Sequence, residues 1–111
     1  MNKVMLIGRL VRDAELKKIE DRELSILTFT LAVNRHYKKE DKADFIPVVI
    51  FGKHAEVLSK YMVKGKLVGV EGKLQTRLYT NKEGLKKKYM EVICSDVRFL
   101  DPKKLDEVVN S

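Results

Sequence analysis

The chain has 111 residues, enough for one domain and too few for a multi-domain enzyme. With 44% hydrophobic and 35% charged residues it can bury a core, which excludes a disordered chain, and its +7 net charge points to a polyanionic partner. Residues 101–111 hold two lysines and three acids, so the preceding residues carry +8 and the basicity belongs to the folded part.

Val4 to Leu10 follows the N-terminus at once, and Arg9 and Arg12 come too early for a signal-peptide apolar region. The segment is expected to be a strand. Ile19 and Ile26, with Glu20, Asp21 and Arg22 between them, predict a hairpin into the next strand. From Leu24 to Arg35, Leu27, Phe29, Leu31 and Val33 alternate with Thr28, Thr30, Ala32 and Asn34, the period of a half-buried strand. Arg35 to Lys39 then forms a basic loop closed by Asp44. Phe45 to Phe51 is apolar throughout, and Pro47 places it at an edge or an irregularity, because proline donates no backbone hydrogen bond.

Ala55, Leu58 and Met62, flanked by Val57 and Tyr61, fall on one helical face, and Gly65 stands where the chain leaves that helix. Leu67 to Thr80 returns to alternation, with Val68, Val70, Leu74 and Leu78 on one side and Glu71, Lys73, Gln75, Arg77 and Tyr79 on the other. Asn81 to Gly84 is a turn. Lys86 to Leu100 is the last strand, and its alternation changes phase near Ser95. The order is that of an all-β, five-stranded Greek-key barrel of the oligonucleotide-binding (OB) type, with one short helix between strands 3 and 4. An SH3-like barrel or an open sheet with one helix fits the same periodicities.

Nothing is arranged for catalysis or for holding a metal. Cys94 is the one cysteine, so a disulfide within the chain is excluded. His36 and His54 stand apart, without a nucleophile or metal partner. The glycines of Gly69-Val-Glu-Gly72-Lys73 lie inside a strand, where tight curvature explains them better than a phosphate loop or a KH clamp. No cofactor is implied, and no apolar run approaches the ~20 residues of a membrane span.

The informative pattern is aromatic residues interleaved with basic ones. Tyr79 shares a face with Arg77 and Lys73, and the following hairpin carries Lys82, Lys86, Lys87 and Lys88. Tyr37 lies in the basic loop. Phe45 and Phe51 share the face of their strand opposite Ile46, Val48 and Ile50. Bases stacked on such rings, with cations beside the phosphates, describe single-stranded nucleic acid held without sequence readout. Base-stacking candidates are Tyr37, Phe45, Phe51 and Tyr79. Phosphate-binding candidates beside them are Lys3, Arg35, Lys73, Arg77, Lys87 and Lys88. Ile46 and the continuous apolar strand offer more apolar face than a small barrel buries alone, so self-association is expected.

Four ordered blocks, Asn2-Lys-Val-Met-Leu-Ile-Gly-Arg-Leu10, Thr30-Leu-Ala-Val33, Val48-Val-Ile-Phe-Gly-Lys-His-Ala-Glu56 and Gly72-Lys-Leu-Gln-Thr-Arg77, resemble the bacterial single-stranded DNA-binding proteins. The resemblance spans residues 2 to about 101. It implies an OB-fold domain over residues 1–101, a homotetramer built as a dimer of dimers, a place in the cytoplasm on the nucleoid, and a role coating single strands in replication, recombination, repair or DNA uptake. Tyr37, Phe45, Phe51 and Tyr79 fall where that family places stacking aromatics, although no tryptophan is present. Lys53, Lys64 and Arg77 fall on phosphate-contacting positions, whereas Pro47, Gln75 and Leu78 replace basic residues there.

Fork-serving members continue into a Gly- and Gln-rich linker and an acidic tip. This chain has instead a short tail, residues 102–111, ending Val109-Asn-Ser111, and resembles the tail-less relatives, so enzymes that dock on such a tip are not expected as partners. Two rival readings share the fold: a protein-interaction subunit like the small primosomal proteins, and an RNA-binding OB module.

Overall fold

A computed structural model describes residues 1–19, 21, 24–35 and 42–101 of the chain. Six strands and one helix follow in order: β1 (Val4–Leu10), β2 (Glu15–Ile19), β3 (Leu24–Arg35), β4 (Lys42–Phe51), α1 (His54–Ser59), β5 (Leu67–Thr80) and β6 (Lys86–Phe99). The sixth strand arises because the first arm of the expected meander breaks at residues 11–14. β1 pairs with β3 at Arg9↔Ala32 and Leu10↔Leu31, and β2 takes over along the same edge from Glu15↔Thr28 to Ile19↔Leu24. Counted as one bent arm, β1 and β2 make the helix fall between the third and fourth of five strands, as expected.

The pairings run β1–β5–β6–β4–β3 and return from β3 to β1, a closed ring. All are antiparallel except β4 with β6, which are parallel at Val48↔Val92 and Val49↔Ile93. Pro47 sits one residue before that pairing begins, on the stretch of β4 that has β3 alone as partner, so its missing N–H leaves no ladder incomplete.

The period of two decides what enters the ring. Leu27, Phe29 and Leu31 of β3, Val48 and Ile50 of β4, Val68 and Val70 of β5, and Val92 of β6 are all buried. Leu10, Ala55 and Met62 close one end. The helix is shorter than the spacing predicts and ends before Met62. The next turn, held by Met62 N–H donating to the Leu58 carbonyl at 3.1 Å, still delivers Met62 fully buried to the core. Gly65 follows in the left-handed region with φ 85°, which a side chain would disfavour. Cys94 is a free, buried thiol, and its burial pushes its pKa upward.

The phase change near Ser95 is a β-bulge. Glu71 pairs with Asp96 and Gly72 with Cys94, which leaves Ser95 without a Cα partner. A Cβ on Gly72 would collide with the Ile93 backbone carbonyl, so the glycine marks close backbone approach at the bulge and not a phosphate loop.

One expectation fails here. Leu74 and Leu78 continue the inward row of Val68 and Val70, yet they are 42% and 69% exposed. β1 pairs with β5 only as far as Gly72, so beyond it β5 and β6 leave the barrel as a two-stranded ribbon with no described strand over its inner face. A second correction concerns the surplus apolar surface. Ile46 is partly buried against this chain's own core, whereas Met5 and Ile7 on β1 are among the apolar side chains that are exposed.

Candidate nucleic-acid interface

The outward rows of β3 and β4 are in register: Ile26↔Phe51, Thr28↔Val49, Thr30↔Pro47 and Ala32↔Phe45. Ile26 and the smaller Thr28, Thr30 and Ala32 of β3 therefore lie beside a row that begins and ends in phenylalanine. Phe45 is 64% and Phe51 45% exposed, so both rings meet solvent, about 20 Å apart along β4 at strand rise. The opposite row, with Val48 and Ile50, fills the core as the spacing predicts.

The ribbon supplies the other wall. Arg77 pairs across to Tyr89 and Tyr79 to Lys87, so these four side chains share the outer face. A groove of about 450 Å³ runs between this wall and the β3–β4 surface, lined by Thr28, Val49, Phe51, Arg77, Tyr89 and Glu91 among others. Tyr79 continues the wall outward, its ring edge-to-face with Tyr89 at 6.4 Å and 83°. The Arg77 guanidinium lies 5.9 Å from the Tyr89 ring centroid. Arg77 also donates to Glu91, a carboxylate only 3% exposed in the groove, at 3.0 Å.

The basic candidates divide into two groups. Lys3 is paired with Glu71 at 2.6 Å, Arg35 with Asp44 at 2.6 Å, and Arg77 with Glu91. The Lys3 ammonium is raised above its usual pKa by the Glu71 hydrogen bond and charge. Arg35 uses Nε and Nη2 together on Asp44, which lies inside β4 and not at the end of a loop before Phe45, so the fork joins β3 to β4 beside their last pair, Arg35↔Lys42. Those three cations are already partly neutralised. Lys53, Lys64, Lys73, Lys87 and Lys88 are exposed and form no salt bridge among the described residues.

Lys53 immediately precedes α1 and, with Phe51, lines a second groove, so Phe51 stands between two depressions. Lys64 does not line the first groove, but its backbone N–H donates at 2.8 Å to the carboxylate of Asp13, which does. Lys73 is on the same face of β5 as Arg77 and Tyr79. Lys88 is not: it pairs with Leu78 on the reverse face of the ribbon. Tyr37 lies outside the described residues, as does the segment 102–111.

Tyr89 and Glu91 escaped the reading of the sequence because the faces of the last strand could not be assigned across its phase change. Counting back from the Asn81–Gly84 turn would have found them, since Thr80↔Lys86 places Arg77 opposite Tyr89 and Gln75 opposite Glu91. Among the described residues no group of three or more His, Cys, Asp or Glu is placed to hold a metal ion. No described helix is long and apolar enough to cross a membrane.

The sequence pattern of the single-strand binding protein family matches residues 1–100. The chain is 50% identical over 103 residues to single-stranded DNA-binding protein 2 of Clostridium acetobutylicum, covering 91% of this chain and 77% of that one. It is 48% identical to the single-stranded DNA-binding protein of Clostridium tetani over 103 residues, 91% of this chain and 71% of that one. Among solved structures, a Plasmodium falciparum SSB complex with ssDNA superposes with a TM-score of 0.82 at 31% identity, covering 91% of this chain and 96% of that chain.

Proposed function

Since the chain belongs to the single-strand binding protein family, we propose that it binds and coats single-stranded DNA without regard to sequence, with residues 1–101 as the binding unit. The observation that carries this reading is the outer-face groove, where Phe51, Tyr89 and Arg77 meet and which Tyr79 and Lys87 extend. Unpaired bases stack on rings of this kind, and a duplex hides the faces that would stack. Phe45 continues the track along β4. Lys53, Lys64, Lys73 and Lys87 neutralise phosphates, and Arg77, held by Glu91, acts chiefly as a flat surface against a base. The work such a coat performs lies wherever single strands are exposed in the cell: replication, recombination, repair or DNA uptake on the nucleoid.

Self-association fits the same reading. Residues 4–8 of β1 pair with β5 on one side and, among the described residues, have no strand on the other, and Met5 and Ile7 are exposed beside that open edge. Two copies joined edge to edge, and two such pairs stacked over Met5 and Ile7, make a dimer of dimers. Light scattering should give about four times 12.8 kDa.

The chain has no tryptophan, so emission comes from its four tyrosines, and quenching that is lost in Tyr79→Phe or Tyr89→Phe reports on those rings. Titration with oligo-dT, oligo-rU and duplex of equal length, at two salt concentrations, should show quenching by oligo-dT that weakens with salt. Duplex bound as tightly as oligo-dT would refute the reading, and oligo-rU bound more tightly would favour an RNA module.

A further inference from the structure

Among the described residues only Ser25 and Glu91 are polar or charged and buried. The Glu91 side chain is 3% exposed, whereas that of its partner Arg77 is 58% exposed. Tyr89 and Ile93 stand on either side of Glu91 in the outward row of β6. Burying a carboxylate is costly, and an apolar side chain of similar volume at such a position is often as stable or more so. Stability of the ribbon therefore gives no reason for a carboxylate here.

What the carboxylate does is visible in Arg77. The register sets Arg77 opposite Tyr89 and Glu91 opposite Gln75, so the ion pair runs diagonally across the ribbon. Glu91 Oε2 accepts from Arg77 Nη2 at 3.0 Å, and the guanidinium lies 5.9 Å from the Tyr89 ring centroid. Held between carboxylate and ring, the guanidinium keeps a flat face for a base while its charge is already matched. The lining of the groove as a whole holds three acids, Asp13, Glu15 and Glu91, against two arginines, Arg12 and Arg77. Lys73 and Lys87, exposed on the same face of the ribbon, lie outside that lining. The floor thus repels phosphate and its flank attracts it. A single strand satisfies both by turning its bases in and its phosphates out. A duplex cannot, because its bases are paired and it presents phosphates. Specificity arises from charge set against the wrong partner as well as from contacts to the right one.

We propose that Glu91 is a selectivity residue of the groove: by keeping the Arg77 guanidinium off phosphates, it makes the groove reject duplex and accept unpaired bases. The proposal rests on the outer-groove reading and names what sets its preference. Two variants test it. Glu91→Gln keeps the shape and removes the charge, and Glu91→Gln with Arg77→Gln exchanges the ion pair for a neutral one at unchanged net charge. Melting curves establish that each folds, and both are titrated beside the parent with oligo-dT and with duplex of equal length at four salt concentrations.

In Glu91→Gln, Arg77 is released to a phosphate. The salt slope should steepen by about 0.7 for oligo-dT and about 0.9 for duplex. Duplex should bind about tenfold more tightly at low salt, the low end for a hydrogen bond to a charged group, while oligo-dT, which trades a stacking face for a phosphate, changes less. A carboxylate that only braced the ribbon would weaken both without steepening either. An unchanged or shallower slope, or equal shifts for oligo-dT and duplex, would overturn the proposal. The double variant decides even where the single one does not fold. It should bind oligo-dT more weakly at the parent's slope, and a slope lower by about 0.7 would show that Arg77 already holds a phosphate in the parent, which overturns the proposal. Tyr79→Ala separates the two levels. If it leaves oligo-dT bound as in the parent, the outer-groove reading itself is wrong; if it weakens binding while Glu91→Gln behaves like the parent, only the role of Glu91 fails.

Discussion

The side-chain amide of Asn2 clamps the backbone of Leu74 from both sides, its Nδ2 donating to the Leu74 carbonyl and its Oδ1 accepting from the Leu74 N–H, each at 2.8 Å. The register of β1 on β5 ends at Val4↔Gly72, and two residues further on this side chain stands in for the next strand pair. The clamp sits where the ribbon leaves the barrel, five residues before Tyr79 on the same strand.

Asn2→Ala is therefore expected to cost about 1–2 kcal/mol of stability, two net hydrogen bonds, and to weaken oligo-dT binding several-fold. Asn2→Asp keeps the acceptor and loses the donor, and should fall between. Hydrogen exchange at the Leu74 amide is the direct readout, since its protection should drop in Asn2→Ala while Val70 remains protected.

Arg77 and Lys87 should differ in how salt affects their loss. Lys87 forms no salt bridge among the described residues, so Lys87→Ala should reduce the salt slope by about 0.7, the share of one released counterion on a single strand. Arg77 shares its charge with the buried Glu91 carboxylate at 3.0 Å. Arg77→Gln should lower affinity with a smaller change in slope. It should also cost roughly 1–3 kcal/mol of stability, because Glu91 loses its charged partner. Titrations at four salt concentrations distinguish the two.

Tyr79→Ala, Tyr89→Ala and Phe45→Ala should each weaken binding by about 1–3 kcal/mol with little effect on the fold. Tyr79 and Tyr89 touch edge to face, so their double variant should depart from additivity by roughly 0.5–1.5 kcal/mol, whereas Phe45 and Tyr79, on different strands, should add. Fluorescence or calorimetric titration of the double-variant cycle measures both.

Stability should decline in acid through three named carboxylates. Hydrogen bonds from Arg35 hold Asp44 below its ordinary value of 3.8, the Ser25 hydroxyl and then Lys18 hold Glu56 below 4.5, and the Leu67 backbone N–H holds Asp101 below 3.8. Each has a lower pKa folded than unfolded, so the unfolded chain binds more protons between the two values. Their contribution is complete above pH about 5 and disappears as the pH falls through the depressed folded values. Melting temperature measured from pH 7 to pH 3 should be level and then drop, and the combined Asp44→Asn, Glu56→Gln and Asp101→Asn variant should drop less.

Much of this protein is written locally. The alternation from Leu24 to Arg35 and from Leu67 to Thr80 marks β3 and β5 residue for residue, because a strand's side chains must alternate between core and water. The phase change near Ser95 announced the bulge for the same reason. What the sequence could not contain is how many strands cover each stretch. Val70 and Leu78 stand in the same row of β5, yet Val70 is 3% and Leu78 69% exposed, since β1 stops at Gly72 and leaves the ribbon uncovered. The same nonlocal fact sends Lys88 to the reverse face, brings Tyr89 beside Arg77, and sets Glu91 in the groove to hold that arginine. Periodicity tells a side chain which face it occupies; only the pairing of distant strands decides whether that face is core, groove or open surface.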